Sequence, residues 1–337
     1  MKLQYSFVIP VYNRPDEIKE LLESFVNLDF DQAFEIVIVE DGSSITSEKV
    51  VESFSDKLNI IYYYKSNSGP GDSRNFGMRK ATGNYYIILD SDCILPPSYL
   101  KLVDESLQKE YVDCYGGPDN AHSSFSLIQQ AINFSMTSVL TTGGIRGNKH
   151  SVDKFQPRSF NMGLSKKAFL ATNGFGRIHP GEDPDLSIRL WKTGFKTKLI
   201  SNAFVYHKRR ISWSKFFNQV YKFGKVRPIL NLWHPETKKI TYWFPFLFVS
   251  GFLVATLSFI FLNWFLPLFF YGIYFTLIFI SALIKSKNLS LAGYSIIAAS
   301  IQFYGYGLGF IKSIYAIRVL GKAPEDCFPE LFFNQHV

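Results

Sequence analysis

The chain reads Tyr85-Tyr86-Ile87-Ile88-Leu89-Asp90-Ser91-Asp92 at the point that is most informative about its architecture. A short run of apolar aromatic and β-branched residues is typical of a buried strand. Two carboxylates one residue apart, just after such a strand, can turn oxygen atoms toward one hard cation, and Mg²⁺ and Mn²⁺ prefer these ligands and often bridge diphosphates. Taken alone, the same acids are also typical of a turn that caps the next helix.

Similar apolar runs precede this one, at residues 5–11, 34–39 and 59–64. Between the first two, apolar residues recur at helical spacing after Pro15, which suits a first helical turn. Strands that alternate with helices in this way predict an α/β fold with a mainly parallel sheet. Ligands of such sheets bind beyond the carboxyl ends of the strands.

Polar residues follow three of the predicted strands: Asn13-Arg14 after the first, Asp41-Gly42-Ser43-Ser44 after the second and Asp90-Ser91-Asp92 after the fourth. Asp41 comes after the second strand, where a carboxylate could accept hydrogen bonds from a base or ribose, although such residues are also ordinary in turns. The glycine-rich residues 67–75 open a helix, and Arg74, one turn in, could meet a phosphate. A segment of this kind is about as often a plain connection and helix cap.

Three further residues are candidates for chemistry. Glu182 and Asp183 precede apolar positions at helical spacing, so they stand at a helix N-terminus. They either compensate the helix dipole or supply a general base that deprotonates an acceptor hydroxyl. His207 follows another apolar run and is either a third metal ligand or a structural histidine.

The length of 337 residues predicts one sizeable domain with an appendage. Residues 242–284 contain no Asp, Glu, Lys or Arg, and this stretch is apolar and long enough to cross a bilayer. We expect spans at residues 243–263 and 264–284. A third span at 291–311 is favoured by its length and lack of charge, although it would place Lys312 and the later basic residues outside.

The net charge of +8 is concentrated before the apolar stretch, which favours anionic lipid over nucleic acid as the partner. The basic residues are Lys208, Arg209, Arg210, Lys215, Lys222, Lys225, Arg227, Lys238 and Lys239. From Ser212 onward, apolar and polar residues occupy opposite helix faces, as in a helix that lies in the membrane interface. The three cysteines have neither disulfide nor zinc-site spacing.

Several motifs in order resemble the family 2 glycosyltransferases over roughly residues 3–225. They are Pro10-Val11-Tyr12-Asn13-Arg14, Val39-Glu40-Asp41-Gly42-Ser43-Ser44, the loop 71–77, Asp90-Ser91-Asp92, Asn161-Met162-Gly163 and Gly181-Glu182-Asp183. The resemblance implies a GT-A fold, a Rossmann-like domain that binds nucleotide-diphospho-sugars, and an inverting mechanism. It also implies Mg²⁺ or Mn²⁺ as cofactor.

The resemblance assigns roles to individual residues. The metal ligands would be Asp90, Asp92 and His207, and the base would be Asp183, next to Glu182. The acceptor side would include Asn161, Met162 and Gly163. The nucleotide-sugar would contact Pro10, Tyr12, Asn13, Arg14, Asp41, Gly71, Arg74, Asp90 and Ser91.

The chain departs from the processive polysaccharide synthases of the family, which carry Gln-x-x-Arg-Trp after the acidic pair. The nearest segment here is Gln219-Val220-Tyr221-Lys222-Phe223, so a single sugar addition is favoured. A nucleotidyltransferase also uses paired acids and Mg²⁺, but its basic glycine-rich loop near the first strand is not supplied here. A catalytically degenerate, membrane-bound scaffold is a further alternative, against which the retained acids weigh.

The expected organisation is a catalytic domain at 1–211, an amphipathic interfacial helix and basic linker at 212–240, transmembrane helices forming two or three spans at 241–317, and a tail at 318–337. Lysines flank the first two spans on one side, which places the catalytic domain on the cytoplasmic face of a multi-pass membrane protein. The expected partners are a UDP- or GDP-sugar donor, a polyprenyl-linked acceptor and membrane lipids, and no nucleic acid.

Overall fold

The computed structural model describes residues 2–120, 125–142, 155–207 and 212–333. The chain forms two compact units. The first comprises Met1–His122, Ser151–Lys208 and Phe332–Val337, and the second comprises Ser123–His150 and Arg209–Leu331. The first unit therefore leaves out part of the segment 1–211 and takes up the last residues of the chain. Of the basic residues counted before the apolar stretch, Lys208, Arg209 and Arg210 lie outside the described residues.

The first unit is built on a seven-stranded sheet and a small three-stranded sheet. The seven strands are β1 (Tyr5–Val11), β2 (Glu35–Asp41), β3 (Ile60–Lys65), β4 (Tyr85–Leu89), β6 (Cys114–Gly116), β8 (Asn161–Ser165) and β9 (Thr197–Leu199). The small sheet contains β5 (Cys93–Ile94), β7 (Asp119–Asn120) and β10 (Val205–His207).

The strand order of the large sheet is β3-β2-β1-β4-β8-β6-β9. The first four strands in this order run parallel, as the sequence predicts. Strand β8 runs antiparallel to both β4 and β6. The carboxyl ends of β1, β2 and β4 consequently meet at one edge of the sheet.

Helices cover both faces of this sheet. The helices of the unit are α1 (Pro15–Val26), α2 (Glu48–Glu52), α3 (Pro70–Lys80), α4 (Tyr99–Lys109), α7 (Lys166–Thr172) and α8 (Glu182–Lys192). Side chains of α1 and α4 pack with Phe7 and Ile9 of β1 on one face. Side chains of α3, α7 and α8 pack with Val8 on the other. Because both faces are buried, the strands appear in the sequence as unbroken apolar runs.

The second unit is helical. Its helices are α5 (Leu127–Thr137), α6 (Val139–Thr142), α9 (Trp213–Trp233), α10 (Phe244–Leu262), α11 (Leu266–Ser286), α12 (Leu289–Ile314) and α13 (Pro324–Cys327). Glycines let α9 and α12 approach closely. A Cβ atom at Gly224 would lie 2.1 Å from the carbonyl oxygen of Tyr306, and one at Gly309 would lie 2.2 Å from that of Tyr221. Small residues commonly allow such close helix packing.

Two helices of the described chain are long and apolar enough to cross a membrane, Ile240–Leu262 and Leu266–Ser286. Most of their apolar side chains are exposed. The third expected span, 291–311, lies inside α12, which is long enough to cross a membrane but is less apolar than these two helices. Its tyrosines, glycines and Gln302 lower its hydropathy, and many of its residues are buried within the unit.

Candidate functional site

The loops after β1 and β2 are joined by Asn13. Its Oδ1 accepts hydrogen bonds from the N–H groups of Ser44 at 2.9 Å and Ile45 at 3.0 Å, and its own N–H donates to Ser43 Oγ at 2.7 Å. Asn13 has a φ of 54°, in the left-handed region that asparagine tolerates better than most residues. It therefore braces the edge of the site, beside the exposed side chain of Tyr12.

The Asp41 carboxylate anchors the loop that leads into α3. Its Oδ1 accepts from Lys65 Nζ at 2.6 Å and from the Ser68 N–H at 2.9 Å, and its Oδ2 accepts from the Gly69 N–H at 2.9 Å. Only 4% of Asp41 is exposed. These partners occupy much of the hydrogen-bonding capacity of the carboxylate. The predicted contact of Asp41 with a nucleobase stays a prediction. Lys65, at the end of β3, was not singled out from the sequence.

Arg74 connects two groups of acids that the sequence places far apart. It projects from the second turn of α3 and is 3% exposed. Its Nη2 donates to Asp90 Oδ1 at 2.7 Å, and its Nη1 donates to Glu182 Oε1 at 3.2 Å. The predicted metal-binding carboxylates and the predicted acidic pair therefore belong to one site.

Gly71, in the first turn of α3, permits a close approach. A Cβ atom there would lie 3.0 Å from the carbonyl oxygen of Gly176, in the loop before α8. Pro10, at the end of β1, is half-buried and Ser91 is buried. No contact of these three residues identifies a ligand in the described part of the chain, so their nucleotide-binding role stays a prediction.

Asp92 lies between two basic side chains. Arg14 Nη1 donates to its Oδ2, and His207 Nε2 lies 3.1 Å from its Oδ1. Burial alone would raise the pKa of Asp92, but the adjacent His207 and Arg14 hold that pKa well below its usual range. His207 reaches this position because β10 pairs with β5, which places His207 opposite Cys93.

The donor atoms around His207 fit a divalent cation. Its Nε2 lies 3.1 Å from Asp92 Oδ1 and 3.7 Å from Asp90 Oδ2. Neighbouring ligands of an ion at about 2.1 Å lie roughly 3 Å apart, which matches the distance between Asp92 and His207. Asp90 lies outside the described group of ligand atoms within 4.8 Å of one another, so its role as a metal ligand stays a prediction. Cys93 Sγ is also nearby. Burial raises the pKa of this thiol well above its usual value, so it is a poor ligand.

The two acids at the start of α8 have different environments. Glu182 is held by His179 Nδ1 at 2.8 Å and by Arg74. Burial opposes ionisation, yet the charges of His179 and Arg74 lower the pKa of Glu182 to about 2. Burial and the neighbouring Glu182 raise the pKa of Asp183 to about 6. Asp183 Oδ1 has no hydrogen-bond partner among the described residues.

These environments give the two acids different properties. Glu182 is an ionised side chain that binds Arg74, whereas Asp183 is a carboxylate of raised pKa with one uncommitted oxygen. A carboxylate with a pKa near neutrality is suited to accept a proton from a hydroxyl group. The sequence could not distinguish the two acids, because the difference depends on His179 and Arg74.

The predicted acceptor-side residues lie inside the sheet. Asn161 is fully buried in β8, where its Oδ1 accepts from the Tyr99 hydroxyl at 2.6 Å and its Nδ2 donates to the Ala203 carbonyl at 2.9 Å. Met162 is in the core, and a Cβ atom at Gly163 would lie 1.9 Å from the Tyr115 ring. Any role of these three residues toward an acceptor is therefore indirect.

Comparison with known proteins finds a family match over part of the chain. Residues 6–169 match the family described as glycosyl transferase family 2. This segment is a family 2 glycosyltransferase domain. The match extends from β1 into α7 and includes Asp41, Arg74, Asp90 and Asp92, whereas the acidic pair and His207 lie beyond it.

Several curated proteins resemble this chain over part of their length. An uncharacterized glycosyltransferase of Rickettsia bellii is 34% identical over 97 residues, which is 29% of this chain and 14% of that protein. The poly(ribitol-phosphate) beta-N-acetylglucosaminyltransferase TarS of Staphylococcus aureus is 35% identical over 102 residues, 29% of this chain and 18% of TarS. Chondroitin synthase of Escherichia coli is 25% identical over 240 residues, 60% of this chain and 34% of the synthase. The chain thus matches only a minor part of each relative.

A solved structure resembles the chain over most of its length. The mannosyltransferase PcManGT from Pyrobaculum calidifontis, in complex with GDP-Man and Mn²⁺, superposes with a TM-score of 0.60 at 13% identity. The superposition covers 94% of this chain and 88% of that chain. At this identity the likeness is one of fold, and it confirms the predicted α/β GT-A fold.

Proposed function

We propose that the protein is a membrane-bound glycosyltransferase that moves a sugar from a nucleoside-diphosphate sugar to an acceptor hydroxyl with inversion. The observation that carries the proposal is the Arg74 bridge. Arg74, which lies in the family 2 segment, joins Asp90 at the end of β4 to Glu182 at the start of α8. The same site thereby contains arginine side chains that can bind a diphosphate. It also contains Asp183, beside Glu182, whose carboxylate can act on an acceptor.

The donor class is supported by the charges of the site. The guanidinium groups of Arg14 and Arg74 can bind phosphate oxygens and offset the charge that develops on the leaving nucleoside diphosphate. A Mg²⁺ or Mn²⁺ ion held by Asp90, Asp92 and His207 would supply further positive charge toward that diphosphate. The structural neighbour PcManGT was solved with a nucleotide-sugar and Mn²⁺, which is consistent with this donor and cofactor.

The proposed reaction is a direct displacement. Asp183 accepts the proton of the acceptor hydroxyl, the hydroxyl oxygen bonds to the anomeric carbon, and the bond from that carbon to the diphosphate oxygen breaks. An α-linked donor then yields a β-linked product. Glu182 stays ionised, and its charge helps to keep the pKa of Asp183 high enough for proton transfer near neutral pH.

The acceptor is proposed to be membrane-borne, such as a polyprenyl-linked glycan. The support for this is the pair of exposed apolar helices, Ile240–Leu262 and Leu266–Ser286. Lys238 and Lys239 before the first helix, and Lys285 and Lys287 at the end of the second, favour a cytoplasmic catalytic domain. An enzyme held at the membrane meets such an acceptor in two dimensions.

A ligand panel tests the proposal. The purified full-length protein in detergent is warmed with UDP-sugars, GDP-sugars and ATP, each with Mn²⁺ or with chelator, and donor turnover is then measured. A donor at one hundred times its Kd should stabilise the protein by about 2.7 kcal/mol. If no nucleotide-sugar stabilises the protein or is turned over, the proposal is wrong. Release of pyrophosphate from a nucleoside triphosphate would instead indicate a nucleotidyltransferase.

A further inference from the structure

The end of the described chain returns to the first unit. Phe332 and Phe333 belong to the unit that contains the candidate site, whereas residues 209–331 belong to the second unit. Phe332 forms a β-bridge with Ile178, and the Phe333 N–H donates to the Arg177 carbonyl oxygen at 3.1 Å. The two phenylalanines, which we call the C-terminal clamp, therefore lie along the loop that precedes α8.

The Phe333 side chain spans two loops. On one side it is pressed against Gly69, where a Cβ atom would lie 2.3 Å from the Phe333 Cγ. On the other side its ring lies near that of His179, with 6.1 Å between the ring centroids. Gly69 also has a φ of 90°, so both its conformation and its contact with the ring disfavour a side chain. Phe333 thus connects the loop before α3 with the loop before α8.

Each of these loops leads to a group of the proposed transfer site. The Gly69 N–H donates to the Asp41 carboxylate, and α3, which begins at the next residue, carries Arg74. On the other side, His179 binds Glu182, and Glu182 in turn binds Arg74. Direct contacts therefore run from the clamp to the acidic pair.

Helix α3 itself is also joined to the loop before α8, at a point farther from the clamp. Asn75 Nδ2 donates to the Phe175 carbonyl oxygen at 2.9 Å, and the Phe175 N–H donates to Asn75 Oδ1 at 2.8 Å. This reciprocal pair holds α3 to the start of the loop before α8. Loss of the Phe333 side chain would leave the Asn75–Phe175 hydrogen bonds in place, so the domain should stay folded. The loops around Gly69 and His179, which Phe333 contacts, should become more mobile.

We propose that Phe333 is a positioning residue, and that the C-terminal clamp holds the loops before α3 and α8 together so that Glu182 stays beside Arg74. The inference rests on the proposed glycosyl transfer. Its effect is on geometry: a catalytic group displaced by about 1 Å can cost roughly 10²-fold in rate.

The test compares Phe333→Ala with Phe333→Leu in the full-length protein. The alanine variant should lose roughly 10- to 100-fold in kcat, with a smaller change in donor affinity and little change in Tm. The leucine variant, which keeps most of the apolar volume, should recover most of the rate. Leu170→Ala is the matched control, because Leu170 is 68% exposed on α7 of the same unit. If both Phe333 variants lose rate and Tm together, Phe333 has only a structural role and the proposal is wrong.

Amide hydrogen exchange provides a measurement that does not depend on activity. The N–H groups of Ser68 and Gly69 donate to Asp41, and both should exchange faster in Phe333→Ala than in the wild type or in Leu170→Ala. Unchanged exchange at these two residues would overturn the clamp. A wild-type protein that transfers no sugar would count against the proposed function alone, and exchange would still decide whether the clamp exists.

Discussion

An Asp183→Asn variant should be nearly inactive in transfer, and its stability relative to the wild type should rise with pH. Burial and the charge of Glu182 raise the pKa of Asp183 from 3.8 to about 6. The folded protein therefore binds a proton more tightly than the unfolded chain, and stability falls as the pH rises between these two values. Above about pH 6 the ionised carboxylate imposes its full cost on the folded state.

The size of this cost follows from the two pKa values. A difference of about two pKa units corresponds to about 3 kcal/mol, at about 1.4 kcal/mol per unit. Asparagine carries no charge and avoids this cost, although its new N–H groups need partners, which can cost about 1–3 kcal/mol if they are unmet. At pH 4.5 the unfolded carboxyl is already mostly ionised, so about 1 kcal/mol of this cost is present there. We therefore expect the stability of the variant relative to wild type to be higher at pH 8 than at pH 4.5 by about 2 kcal/mol.

The assay is thermal unfolding of the full-length protein in detergent at both pH values, without donor. Asp29→Asn serves as the control, because Asp29 is exposed and pairs only loosely with Lys101 at 3.3 Å. Transfer by Asp183→Asn should fall by about 10²–10⁴-fold while donor affinity is retained. If the variant has the same relative stability at both pH values, the burial argument is refuted. Normal transfer by the variant would show that the base lies elsewhere.

Four other outcomes are expected. Wild-type kcat should fall as the pH drops through about 6, because Asp183 must be ionised to accept a proton; a flat profile from pH 5 to 8 would argue against it. Asp92→Asn should lose its dependence on Mn²⁺ together with activity while remaining folded, and full wild-type activity in chelator would remove the metal from the reaction. Arg74→Lys should lose roughly tenfold or more in kcat, because an ammonium group cannot bridge Asp90 and Glu182 as the planar guanidinium does, and a fully active variant would contradict the bridge. A cysteine placed at Lys238 should be protected from an impermeant reagent in intact cells, and labelling from outside would overturn the cytoplasmic assignment.

The sequence alone was sufficient for the core of the sheet. Strands β1 and β4 lie at the predicted residues because both of their faces are buried, which leaves an unbroken apolar run in the sequence. The order of the polar motifs also predicted that Asp41 and Asp90 lie at the same edge of the sheet. Parallel neighbours bring their carboxyl ends to one edge, whatever the details of packing.

Other predictions from the sequence depended on contacts that local patterns do not record. The segment 291–311 lacks acidic and basic residues, as a membrane span does, and it forms part of a helix with many buried small residues, so whether it crosses the membrane stays a prediction. The motif Asn161-Met162-Gly163 was expected at the acceptor side, yet it is buried because β8 lies between β4 and β6. Charge count and motif order do not reveal which neighbours surround a segment.

Residue types and their order along the chain determined the fold class, the paired acids after β4 and the apolar helices, because these follow from periodicity and composition over short windows. The tertiary structure decided which acid is ionised and which retains its proton to higher pH, because that depends on the burial of Glu182 and Asp183 and on Arg74, which is distant in sequence. It also decided that His207 meets Asp92, through the pairing of β10 with β5, and that Phe333 returns to Gly69. Electrostatic environment and burial arise from residues that only the folded chain brings together.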